Sequence, residues 1–216
     1  MKKFELTTEF ITNAFGKKLF RIKALVEFGD VKAGELGGYV EKEGNVSQAG
    51  NAWVYGNARV SGDARVSGNA WVYGNAWVYG NARVYGDARV YGDARVYGDA
   101  EVYGDAWVSG DARVYGNAEV SGNAEVYGDA RVCGNAWVSG NADYALVQGF
   151  GTEFRCTTFY RGKNKKIMVN CGCFHGDLEG FRKQVKETRN GKIAKEYLMI
   201  ADLMEYHFTS EDSSDE

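Results

Sequence analysis

From Gly80 to Ser109 the chain reads GNARVY-GDARVY-GDARVY-GDAEVY-GDAWVS, five versions of one six-residue unit. The same pattern, Gly-Asn/Asp-Ala-x-Val-Tyr/Ser, extends both ways, from Gly50 to Ser139, for fifteen units, with Cys133 as an incidental replacement in the Tyr/Ser slot. Within each unit Ala and Val alternate with two other residues. A period of two puts Ala and Val on one face of a strand and the variable pair on the other. Gly-Asn or Gly-Asp then forms the corner, because Gly accepts positive φ freely and Asn and Asp tolerate it better than most residues. Four-residue strands joined by two-residue corners cannot be antiparallel hairpins while every strand keeps the same inward pair. Coiling them buries each Ala and Val against its copies in neighbouring turns. A disordered Gly-rich tract would have no reason to hold that register fifteen times. The expected fold is a β-solenoid.

The bulk numbers narrow the function. The 216 residues carry a net charge of −3, so the molecule as a whole attracts neither nucleic acid nor membrane, and any anion site must be local. Behind Lys2 and Lys3 there is no apolar run of signal-peptide type. No segment approaches the roughly 20 apolar residues of a membrane span. The four cysteines, Cys133, Cys156, Cys171 and Cys173, are too few and too unevenly spaced for a disulfide framework. These features imply a cytoplasmic protein with reduced thiols.

The repeat resembles the hexapeptide of left-handed parallel β-helix proteins, which are triangular prisms with three hexapeptides per coil. That resemblance implies an all-β left-handed parallel β-helix over 38–142. An N-terminal β cap is expected over 1–37, a small α+β domain over 143–208 and an acidic tail over 209–216. The imperfect units Gly38–Glu43 and Gly44–Ala49 keep the glycine register without the Ala/Val pair, as a capping coil would. Phe4–Phe10 and Leu19–Leu25 read as strands covering the lower end. The flanks, including Gly34-Glu35-Leu36-Gly37-Gly38-Tyr39-Val40 and Cys171-Gly-Cys-Phe-His175, resemble uncharacterised phage and prophage hexapeptide proteins.

With three units per coil, residues eighteen apart share a wall. The first wall collects Trp53, Trp71, Arg89, Trp107 and Glu125, with Tyr55, Tyr73, Tyr91 and Tyr127. The second collects Arg59, Trp77, Arg95, Arg113 and Arg131, with Tyr79, Tyr97 and Tyr115. The third is mixed: Arg65, Arg83, Glu101, Glu119 and Trp137. Relatives of this fold commonly form trimers. The aromatic first wall (Trp53, Trp71, Trp107, Tyr55, Tyr73, Tyr91) is therefore the expected homotrimer interface, against the alternative that its rings only stack along the ladder. The second wall stacks like charges, which something must offset. Either the corner aspartates Asp93, Asp111 and Asp129 do so, or an anionic ligand such as a nucleotide is held by Arg59, Arg95, Arg113 and Arg131 and stacked on Trp77, Tyr97 or Tyr115.

Catalytic signals are sparse. Many left-handed β-helix relatives are acyltransferases with a histidine general base, but these repeats hold no histidine. Such a reaction would need His175 or His207 folded back onto the prism. Cys156 with Cys171-Gly-Cys173-Phe-His175 is a weak zinc set, because Cys-x-Cys is closer than the usual ligand spacing. Along a single strand, Cys171, Cys173 and His175 would share one face, to bind metal or to pack as small apolar groups. The expectation is an oligomeric binding scaffold without cofactor or resident metal. A phage-encoded form would sequester an anionic small molecule or nucleotide signal, or bind a host protein, with nucleic acid and membrane disfavoured. A hexapeptide acyltransferase and a purely structural spacer are the alternatives.

Overall fold

A computed structural model describes residues 2–209. The expected tail lies outside them, apart from Thr209, which ends the last helix. The fifteen units form rungs on three parallel sheets, five to a wall, with the Arg95 rung on those of Trp77 and Arg113, eighteen residues away either side. Regular pairing covers only x and Val in each rung, which is shorter than the expected four-residue strand. The backbone ladder nevertheless extends to both sides: Asp93, Arg95 and Tyr97 donate to the carbonyls of Gly110, Ala112 and Val114 on the next coil. The corner glycines from Gly50 to Gly134 hold φ between +57° and +74°. Every Ala and Val of the repeats is buried, so the prism interior is a continuous apolar column.

The lower end is covered by a hairpin of β1 (Phe4–Thr12) and β2 (Lys18–Ala24), joined antiparallel to β3 (Leu36–Val40). β3 in turn pairs parallel with the Arg59 rung, so the cap prolongs the second wall. Gly37 and Gly38 permit that approach. A Cβ at Gly38 would lie 2.6 Å from the Ala58 carbonyl oxygen, and one at Gly37 equally close to that of Val54. The buried ammonium of Lys3 donates to the carbonyls of Gly50 (3.2 Å) and Ala52 (2.9 Å), satisfying acceptors that the first coil leaves open.

At the upper end lies an antiparallel sheet in the order Tyr144–Phe150, Arg155–Arg161, Ile167–Cys171, Phe174–Asp177. α1 (Leu178–Thr188) and α2 (Gly191–Thr209) follow it. Asp177 caps α1 by accepting from Gly180 N at 2.9 Å, satisfying a donor that the first turn leaves free. Alternation divides the sheet between two neighbours. Phe159 and Val169 face the helices and pack with Phe181, Val185, Ile200 and Met204. Tyr160 and Met168 face the prism, where Tyr160 joins its core.

Candidate anion-binding wall

The second wall presents three parallel columns, because each rung contributes a corner residue, an outward x and a trailing aromatic. Asp93, Asp111 and Asp129 form the first column, Arg95, Arg113 and Arg131 the second, and Tyr79, Tyr97 and Tyr115 the third. Arg95 and Arg131 are exposed, while Arg59 and Arg113 are partly so. None of the four makes an ion pair among the described residues, and neither does Arg65 of the third wall, whereas Arg83 and Arg89 have partners. Arg83 bonds Glu101 at 3.0 Å. Arg89 lies between Trp71 and Trp107, 5.5 and 5.2 Å from their ring centres. The aspartates beside the second wall leave its arginines unclaimed. Asp93 accepts instead from Asn75 Nδ2 at 3.2 Å, one of several amide rungs linking the corners.

The tyrosines differ from expectation. Tyr79 stacks on Tyr97 and Tyr97 on Tyr115, with ring centres 4.8 and 4.9 Å apart and planes within 5° of parallel. Their inner faces cover one another, leaving no open slot there for a flat ligand. Trp77 is also engaged, by Tyr79 at 4.8 Å and by Phe15 of the β1–β2 turn at 6.3 Å. Burial raises the phenol pKa of Tyr79 and Tyr97 and pushes Tyr115 up to about 12, so the column stays neutral and able to donate.

On the first wall, Trp53 is fully enclosed, edge-on to Phe4 and Phe28 of the cap. It is therefore withdrawn from any contact between subunits, contrary to the reading that counted it in the interface. Tyr55 packs on Trp71, Tyr73 on Tyr91 at 4.9 Å, and Arg89 fills the gap up to Trp107. Ladder stacking thus satisfies much of this wall. Trp107 and Tyr127 are its exposed aromatics, at 37% and 55%.

The cysteine set does not assemble. Cys171, Gly172 and Cys173 are not a single strand: Gly172 takes φ +61° and the chain turns back, pairing Cys171 with Phe174 and Asn170 with His175. Cys171 packs with the helices and accepts from Thr157 Oγ1 at 3.1 Å, Cys173 is exposed in the turn, and His175 is on the prism side. Cys156 is a separate, half-buried thiol whose pKa burial raises. No group of three or more potential metal-ligating side chains occurs among the described residues.

Cys133, incidental by the repeat pattern alone, has a structural role. It is buried where the upper sheet meets the prism, 3.4 Å from the Tyr160 hydroxyl and 3.5 Å from His175 Nδ1. Asn170 Nδ2 donates to its sulfur and to the Tyr115 hydroxyl, both at 3.3 Å. A small residue in the tyrosine column makes room for Tyr160, and its departure from Tyr/Ser was the available signal. His175 also lines a crevice with Asn135, Lys163, Asn164 and Met168.

Residues 52–66, 64–80, 76–92, 82–98, 88–104, 94–110 and 124–140 match the family model of the YdcK β-solenoid repeat. The matched segments all lie in the prism, so the match and the three stacked sheets agree on a repeat β-solenoid. No curated protein matches the chain. Among the described residues, no helix is long and apolar enough to cross a membrane.

Proposed function

Starting from a solenoid whose repeats are similar to the YdcK type, we propose that this protein is a non-enzymatic scaffold that binds an anionic ligand along its second wall. One observation carries the reading. Arg95, Arg113 and Arg131 occupy successive coils without ion-pair partners, while elsewhere Arg83 pairs with Glu101 and Arg89 lies between two tryptophan rings. In bulk water, like charges about 4 Å apart repel by about 1 kcal/mol, and a bound anion would turn that repulsion into charge-assisted hydrogen bonds. Copies would associate side by side through the exposed part of the first wall, around Trp107 and Tyr127, as a homotrimer. In the narrower version, a phage-encoded protein sequesters a nucleotide signal, but the closed tyrosine faces speak against base stacking.

The test is the double variant Arg95→Glu, Arg113→Glu. It should abolish thermal stabilisation by anionic compounds while leaving the far-UV spectrum and oligomeric mass unchanged. Undiminished stabilisation would remove the wall from consideration.

A second reading, acyl transfer, gains from one observation. His175 does fold back onto the prism, with its Nε2 3.1 Å from where a Cβ on Gly134 would sit. Against it, Nδ1 is engaged with Cys133 and Tyr160 at the joint between sheet and prism. Acyl-CoA turnover that disappears in His175→Ala would favour this reading over the scaffold. We expect no turnover in either form.

A further inference from the structure

We propose that the ligand of the second wall is an acidic polysaccharide, an extended chain with one carboxylate per sugar unit lying along the prism axis. The proposal rests on the anion-binding reading above and narrows it by chemistry. The fifteen units contain no inserted loop, so the wall is an open, flat surface that would leave a small ligand half exposed. An extended ligand instead gains one set of contacts per coil, at the strand spacing of about 4.8 Å.

Each column suits a different group on such a chain. The arginines can grip carboxylates in two-pronged hydrogen bonds. The phenols of Tyr79 and Tyr97, held neutral by burial and without hydrogen-bond partners among the described residues, can donate to or accept from ring and hydroxyl oxygens. Asp93, Asp111 and Asp129 are exposed acceptors that sugar hydroxyls can satisfy. Single-stranded nucleic acid needs open aromatic faces on which to stack its bases. Here the tyrosine faces are closed on each other, and Trp77 is held between Phe15 and Tyr79. Closed ring faces, together with a column of exposed acceptors for hydroxyl groups, therefore favour a carboxylated glycan over a nucleic acid.

The experiment is calorimetric titration of the full chain with oligogalacturonates of increasing length, a neutral glucan of matched length, a single-stranded oligonucleotide and a mononucleotide. Affinity for the uronates should rise with length until the chain spans Arg95 to Arg131, then level off. The neutral glucan should not bind. Arg113→Gln should weaken uronate binding about tenfold or more by removing one two-pronged contact, and Asp111→Asn should weaken it severalfold. A mononucleotide or oligonucleotide that binds more tightly than any uronate, with the same loss in Arg113→Gln, would overturn the polysaccharide and leave the anion-binding wall standing. Tighter uronate binding by Asp111→Asn would likewise overturn the polysaccharide, since the aspartates would then only repel. If no probe binds, or binding ignores Arg113→Gln, both readings fall.

Discussion

Gly98 shows how much one repeat position constrains. Its φ is +73°, and a Cβ there would sit 3.0 Å from the amide nitrogen of Gly116 on the next coil. The left-handed conformation alone costs an L-residue about 1–2 kcal/mol. The neighbour is backbone, which cannot rotate aside. Gly98→Ala should therefore lower stability by at least that amount, seen as an earlier midpoint in urea unfolding; an unchanged midpoint would mean that the corner relaxes. Such positions were readable in advance because Gly recurs where each strand must turn. Trp53 and Cys133 were harder. Trp53 occupies an outward slot like that of Trp71, and what encloses it is Phe4 and Phe28, supplied by a segment the repeat does not describe. Cys133 acquires its role from Tyr160, Asn170 and His175, contacts from a segment whose placement no spacing announces.

Among the elements, the rungs were legible and the upper sheet only partly so. Period two fixed what points inward, and the eighteen-residue step fixed the walls. The single strand expected to carry Cys171, Cys173 and His175 instead ends at Cys171, and a short partner runs Phe174–Asp177. The missed turn is two residues long, and Gly172 was its sole mark. The tyrosine columns give this scale its prediction. Burial is the main cause that pushes Tyr55 and Tyr115 up to about 12, and Tyr73, Tyr79, Tyr85 and Tyr97 are raised as well. An unfolded phenol titrates near 10, so between about pH 10 and 12 the unfolded chain sheds protons that the fold retains. The tyrosines' contribution to stability is whole below about pH 10 and is lost as pH climbs through about 12. Melting temperatures should fall across that window, and less steeply in Tyr115→Phe. A flat profile would contradict the burial of the phenols.

For the whole molecule, each coil returns the chain to the wall it left, heading the same way, after eighteen residues. Height is therefore adjustable independently of the two ends. Excising 93–110 should give a shorter prism that still melts cooperatively and keeps its surviving arginines in one file. Excising 93–98 should also fold, since Ala and Val stay inward. It would turn every later rung onto the adjoining wall, set Glu101 above Trp77, and carry Arg113 and Arg131 around to follow Arg89. Melting curves would show two folded proteins, and anion titration would separate them, with binding weakened by the loss of Arg95 but kept on its wall in the first, and lost from its original side in the second. Growth or shrinkage by whole coils, through slippage within the repetitive coding sequence, would then lengthen or shorten a binding track in fixed increments, whereas any other multiple of six would reassign its chemistry.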